Sequence, residues 1–278
     1  MDKQSITISQ ALAEAHRHID QIDARILLEH VLDVAHAFLL TYPDYVLTAL
    51  QQEMYLHFVQ SRMEGVPVAY LVGKRDFFDL TFKVSQAVLV PRPETELLVE
   101  LALDLTASGK PYRILDLGTG SGVIAITLAR HRPQARIVAV DRSDDAIAIA
   151  RWNAENLGVS NLRFIAGNWF DELSGEEFDL IVSNPPYVAE SDPHLQQGDL
   201  RFEPLIALSA GKNGLTCIRH IIEAAPSHLV DSGWLLLEHG YNQADECRQL
   251  LQNKDFSNIR SYPDLAGIMR VTGGQINA

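Results

Sequence analysis

The period of the hydrophobic positions changes twice along this chain. From residue 1 to about 75 apolar residues recur at helical spacing: Leu12, Ala15, His16 and Ile19, then Ile26, Leu27, His30 and Val31, then Leu47, Leu50, Met54 and Phe58. Thr41-Tyr42-Pro43-Asp44 and Gly65-Val66-Pro67 interrupt this pattern as turns do, which predicts a small helical bundle. From residue 76 the period becomes two. Phe78, Leu80, Phe82 and Val84 alternate with Asp79, Thr81 and Lys83, and Ala87-Val88-Leu89-Val90 is placed to pair back through a turn at Ser85-Gln86. This predicts a β-hairpin linker over 76–93, ending at Pro91-Arg92-Pro93. An amphipathic helix is expected from Glu94 to Ser108.

From Arg113 onward strands and helices alternate: Ile114 to Leu117, a helix from Gly122, Arg136 to Val140, a helix from Ser143, Leu162 to Ala166, and Phe178 to Val182. That alternation predicts an α/β fold, a mostly parallel, Rossmann-like sheet with helices on both faces. Trp234 to Glu238 reads as a further buried strand, and the stretch from about Asn258 to Thr272 as a closing antiparallel pair. The domains expected are a helical part at 1–75, the linker at 76–93 and the α/β part at 94–278.

The chain has 278 residues, 47% of them apolar, enough for a full core beside a smaller domain. Its net charge of −13 argues against a protein that grips nucleic acid nonspecifically, because that affinity comes from Lys and Arg on phosphates. Cys217 and Cys247 lie in no metal-type spacing and suggest neither a zinc site nor a disulfide framework, so no metal is expected. No run reaches the length of a membrane span and the N-terminus lacks the apolar core of a signal peptide, which makes the cytoplasm the expected compartment.

Two loops carry the candidate chemistry. Asp116-Leu117-Gly118-Thr119-Gly120-Ser121-Gly122 falls where the first parallel strand turns into its helix, where glycines let a ligand touch the backbone. The spacing is G-x-G-x-G, one residue short of the dinucleotide G-x-G-x-x-G. Asp141 lies 23 residues beyond Gly118, near the ~20-residue interval of an acid that bonds ribose hydroxyls. It is also placed to cap the Ser143 helix. After the third strand, Trp169 is positioned to cover an adenine and Asn168 to meet its edge, although Trp-Phe is also ordinary core material.

The second loop is Ser183-Asn184-Pro185-Pro186-Tyr187, on which the apolar run Phe178 to Val182 stops. Proline fixes φ and has no N–H, so tandem prolines hold the backbone stiff and leave carbonyls free to accept. Asn184 adds a side-chain carbonyl and Tyr187 a flat face. Such a tip suits a planar NH2 group, although Asn-Pro is also a common turn former.

A nucleoside without a pyrophosphate, next to a tip that grips NH2, describes methyl transfer from S-adenosylmethionine to nitrogen. The glycine loop resembles that of class I methyltransferases, and Asn184 to Tyr187 resembles the signature of amino-methyltransferases. Val90-Pro91-Arg92-Pro93-Glu94-Thr95-Glu96, Leu115 to Gly122, Ser183 to Tyr187, Arg201-Phe202-Glu203-Pro204 and Leu236-Leu237-Glu238-His239-Gly240 occur in the order seen in the release-factor glutamine methyltransferases, the HemK/PrmC family. The resemblance covers nearly the whole chain. It implies that the substrate is the glutamine of the Gly-Gly-Gln loop of bacterial class I peptide chain release factors, with S-adenosylhomocysteine as the other product. It also implies that Gly118, Thr119, Gly120, Ser121, Gly122, Asp141, Asn168, Trp169 and Asn184 bind the cofactor. Asn184, Pro185, Pro186 and Tyr187 would hold the glutamine. Relatives often carry Asp at the position of Asn168, and an amide oxygen there still accepts from an adenine amino group.

Amide nitrogen is a poor nucleophile because its lone pair is delocalised. Acceptors on its two hydrogens, Asn184 and a proline carbonyl, favour a pyramidal nitrogen, and no strong general base is nominated. His194 and His239 read as loop or packing residues. Arg92 and Glu96 either border the methionine end or cap the next helix. The C-terminal Gly273-Gly274-Gln275 copies the substrate tripeptide and reads as a frayed polar end. The chain is expected to act as a monomer, with residues 1–75 docking the protein substrate. Rival readings are a nucleic-acid amino-methyltransferase, which would want a basic groove, and a silent binding module, against which the intact loops speak.

Overall fold

A computed structural model describes residues 6–277. The chain divides into two compact units, one running to Lys74 and the other beginning at Arg75. The first holds α1 (Ile8–Ala15), α2 (Gln21–Leu32), α3 (His36–Thr41), α4 (Ala49–Met63) and α5 (Val68–Val72). Thr7 with Gln10 and Thr48 with Gln51 form capping boxes, and the Asp20 carboxylate caps α2, so each of these helices starts where a side chain can satisfy its free N–H groups. Leu27, Leu28 and Tyr55 fill the core, with the Tyr55 hydroxyl donating to Ala24 O at 3.1 Å.

One helical face differs from the expected one. Leu50 is 68% and Met54 41% exposed, while α4 buries Tyr55 and Val59. The cause is the cap. Thr48 starts the helix after Leu47, so Leu47 is buried outside it and cannot share a helical stripe with Leu50.

The hairpin also sits earlier than its alternation suggested. Its strands are β1 (Lys74–Phe77) and β2 (Leu80–Lys83), and Ala87 to Val90 forms no strand. Phe78 lies in the two-residue turn with φ of 57° and donates its amide to Glu96 Oε1 at 2.8 Å; Phe77 is the buried residue. Glu96 therefore anchors this turn, a role that neither of its two readings named. A tight connection of this length is the commonest hairpin turn.

The second unit is built on a seven-stranded sheet of β3 (Arg113–Leu117), β4 (Arg136–Asp141), β5 (Leu162–Ala166), β6 (Phe178–Ser183), β7 (Leu229–Glu238), β8 (Phe256–Pro263) and β9 (Met269–Ile276). The order is β5-β4-β3-β6-β7-β9-β8, parallel from β5 to β7 and antiparallel from β7 onward. Around it lie α6 (Glu96–Leu105), α7 (Val123–His131), α8 (Asp144–Asn156), the short α9 (Leu205–Leu208), α10 (Thr216–Ala224) and α11 (Ala244–Gln252). Alternate strand residues feed two cores: Ile114, Leu180, Val182 and Leu236 on one face with α6 and α7, and Leu115, Leu117, Ile181 and Leu235 on the other with α10 and α11. Burial on both faces is why these strands read as continuous apolar runs. No helix among the described residues is long and apolar enough to cross a membrane.

The C-terminal tripeptide is not frayed. Gly273 and Gly274 are buried in β9 opposite Leu236 and Leu235, and Gln275 Nε2 donates to Ser232 O at 2.8 Å. A Cβ on Gly273 would come within 2.4 Å of Leu236 Cδ2, so glycine is needed there for strand packing.

Candidate active site

The direction of chain progression reverses between β3 and β6, and ligands of open α/β sheets bind at the carboxyl edge beside such a switch point. Four strand ends supply the candidate residues there. The β3 loop is anchored by its own backbone: Gly118 N and Thr119 N both donate to Val140 O, at 2.8 and 3.0 Å. At Gly122, φ is 86° and a Cβ would meet Ile126 Cδ1 at 2.7 Å and Ala150 Cβ at 3.2 Å, so the missing side chain lets α7 and α8 close beneath the loop. At Gly120, φ is 56° and a Cβ would meet nothing within 4 Å. The surface at Gly120 is open to a ligand.

Asp141 ends β4 and braces that loop. Its Oδ2 accepts from Gly120 N at 2.8 Å and its Oδ1 from Ser143 N at 2.9 Å. Ser143, not Asp141, caps α8 through Ala146 N. Burial pushes the Asp141 carboxyl up, against the pull of the three backbone amides of Ser143, Gly120 and Arg142. Each oxygen keeps a lone pair for a further donor. Asp116 lies below, fully buried, its Oδ2 accepting from the Thr119 hydroxyl at 2.6 Å while Oδ1 has no partner. Burial raises its carboxyl to about 7.

Gly118, Thr119, Gly120, Ser121, Asp141, Asn168, Trp169, Asn184 and Pro186 border one cavity; Gly122, Pro185 and Tyr187 do not. Asn168 turns its Nδ2 toward Asp171 Oδ2 at 3.4 Å, which leaves its carbonyl to accept. Trp169, half-buried at φ of 54°, presents its ring within 3.7 Å of where a Gly118 Cβ would sit. On the β6 side, the Ser183 hydroxyl donates to Leu117 O at 2.6 Å and ties the two strand ends together. Asn184 Nδ2 donates to Thr95 Oγ1 at 3.0 Å. Pro185 is buried, and the Tyr187 ring packs into the second core with its hydroxyl 3.4 Å from Glu238 Oε1. Gln243 Nε2 holds the Tyr187 carbonyl at 3.1 Å.

Several residues here were given no settled role by the sequence, although Arg92, Thr95 and Glu238 lie in the quoted motifs. Thr95 and Glu238 flank Asn184, and the buried Asn153 joins Lys83 to Ser121 O. Arg92 borders the cavity and its side chain pairs with the buried Glu203 rather than capping a helix. Glu238 follows the apolar run Trp234 to Leu237 as Asp141 follows its own, and an acid at the end of a buried strand is a signal for it besides the quoted motif. His239 is buried, its Nδ1 on Gly240 O and its Nε2 on Thr272 Oγ1; His194 is exposed and pairs with Asp192.

Comparison with known proteins agrees on one family. Residues 6–73 match the PrmC N-terminal domain and residues 108–259 a methyltransferase domain. The release factor glutamine methyltransferase of Xylella fastidiosa strain Temecula1 is 47% identical over 264 residues, covering 95% of this chain and 96% of the relative. This chain belongs to the release factor glutamine methyltransferases. The Escherichia coli K12 member of that family is 46% identical, with 91% of each chain covered. Among solved structures, a Pyrococcus furiosus methyltransferase aligns at a TM-score of 0.55 with 18% identity over 72% of this chain and 91% of that one. A Thermus thermophilus 16S rRNA N2 G1207 methyltransferase, in complex with AdoMet and guanosine, aligns at 0.56 with 19% identity over 73% and 50%. At these identities the likeness supports the Rossmann-like methyltransferase fold alone.

Proposed function

We propose that this chain transfers a methyl group from S-adenosylmethionine to the side-chain amide nitrogen of the Gly-Gly-Gln glutamine of class I peptide chain release factors. The observation that carries this reading is the Asn184 amide. Its nitrogen is engaged by Thr95, which leaves its oxygen as an acceptor on the cavity that the glycine loop also borders. An acceptor there selects a donor such as a substrate NH2.

The residues present fit the cofactor. S-adenosylmethionine supplies an electrophilic methyl on a sulfonium. Open space at Gly120 admits a ligand against the backbone, Asp141 has lone pairs for ribose hydroxyls, and Asn168 and Trp169 offer an acceptor and a ring for adenine. Asn184 Oδ1 and a proline carbonyl accept the two hydrogens of the glutamine amide, which draws the nitrogen toward a pyramidal form and offsets its developing positive charge. Orienting that nitrogen within about 3 to 3.5 Å of the methyl removes much of the entropic barrier. Tyr187 acts from behind, packing the loop.

The first 75 residues, with Leu50 and Met54 exposed, serve to dock the protein substrate. The enzyme acts as a monomer in the cytoplasm, without nucleic acid.

Incubation of purified enzyme and S-adenosylmethionine with an unmodified release factor, and in parallel with duplex DNA, tests the reading by fragment mass spectrometry. One methyl on the Gly-Gly-Gln glutamine is expected. A methylated base with an untouched factor would overturn it.

A further inference from the structure

β6 and β7 run parallel with Ser183 opposite Leu237, so the next residues, Asn184 just past β6 and Glu238 at the end of β7, lie side by side. Glu238 is 1% exposed. Its Oε2 has no donor within hydrogen-bond distance, and the Tyr187 hydroxyl reaches only Oε1, at 3.4 Å. A buried carboxylate this short of donors attracts any hydroxyl hydrogen nearby. Thr95, 3% exposed and directly before α6, is the neighbouring hydroxyl that pulls this carboxyl down, and its Oγ1 accepts from Asn184 Nδ2 at 3.0 Å. Arg270 and Glu94 are the charged groups that act on Glu238, with opposite signs.

The direction of each bond follows from the inventory of donors. A carboxylate only accepts, and a threonine hydroxyl has one hydrogen. With that hydrogen turned to Glu238, Thr95 can only accept, so it selects the NH2 end of the Asn184 amide. The amide oxygen is then fixed toward the cavity. Without the carboxylate, Thr95 is free to donate to Oδ1, and the flipped amide would set its own NH2 against the NH2 of the substrate.

We propose that Glu238 is a positioning residue, acting through Thr95 to hold the Asn184 amide with its oxygen toward the substrate nitrogen. This rests on the reading of Asn184 as the acceptor for the glutamine amide. Burial also raises the Glu238 carboxyl to about 7, so protonation below neutrality releases the Thr95 hydrogen and loosens Asn184.

The test compares wild type with Asn184→Ala, Glu238→Gln, Thr95→Val and Thr95→Ser, using unmodified release factor, kcat and KM across pH, and cofactor Kd by calorimetry. Glu238→Gln and Thr95→Val are expected to lower kcat about 10- to 100-fold, the scale of a misplaced reacting group, with cofactor Kd unchanged within about twofold. Thr95→Ser keeps the hydroxyl and should recover most of the loss. Wild-type kcat should fall as pH drops below about 7, and that acid limb should vanish in Glu238→Gln. If Glu238→Gln does not fold, the Thr95 pair decides. Full kcat in Glu238→Gln or Thr95→Val, an acid limb that persists in Glu238→Gln, or no recovery in Thr95→Ser overturns the positioning role. With Asn184→Ala inactive, the reading of Asn184 survives that result. Full kcat in Asn184→Ala overturns both.

Discussion

After β3 the chain turns on three glycines, Gly118, Gly120 and Gly122, all at positive φ; after β6 it turns on two prolines whose rings fix φ. The first loop is held by its own neighbourhood, through Val140 O and Asp141, and offers backbone to a ligand. The second is held by side chains remote in sequence, Thr95 from the N-cap of α6 and Glu238 from β7, and offers one oriented amide. The comparison teaches a division of labour: a bare backbone suits binding, while a fixed dipole suits a step in which charge develops.

The largest effect expected to break or confirm that division is at Asn184. Asn184→Ala should lower kcat about 10²- to 10³-fold, the usual loss for one electrostatic stabiliser, while calorimetry finds cofactor affinity kept. Next come the glycines, which separate packing from binding within one loop. Gly122→Ala should destabilise the fold by about 2 to 4 kcal/mol in thermal unfolding, because strained φ adds to a clash with Ile126. Gly120→Ala should cost only about 1 to 2 kcal/mol of stability but weaken cofactor binding, its methyl pointing into open space at the cavity.

Asp141→Asn removes a charged acceptor from Gly120 N and, on the proposed reading, from the ribose. Cofactor Kd should rise about 10- to 100-fold with little change in KM for the release factor. The smallest effect concerns pH. Asp116 has an ordinary value of 3.8 and is raised to about 7 by burial, so between about pH 4 and 7 the native state holds a proton that the unfolded chain releases. Stability therefore falls as pH rises through that window, and Asp116→Asn should shrink the loss of Tm between about pH 5 and pH 8.

What was legible in the sequence follows the same division. The β3 loop and Asp141 are near each other in the chain and follow apolar strands, so spacing alone located them. Asn184 was legible because two prolines end its strand. The contacts of its supports were not: Thr95 and Glu238 lie 89 and 54 residues away, and the packing of the turn before α6 and the register of β6 on β7 bring them to it. The β-hairpin slipped because Phe78 continues an alternation that begins inside a turn. The face of α4 was misread because Leu47 precedes the Thr48 cap, and Gly273-Gly274 looked like a loose tail because nothing local shows that Leu236 needs the space.

The most direct test of the division is a single-turnover rate at saturating S-adenosylmethionine for Asp141→Asn and Asn184→Ala, each with unmodified release factor. Asp141→Asn should regain close to the wild-type rate once the cofactor site is filled, and Asn184→Ala should remain slow at any cofactor concentration. Recovery of Asn184→Ala by added cofactor, or failure of Asp141→Asn to recover, would contradict it.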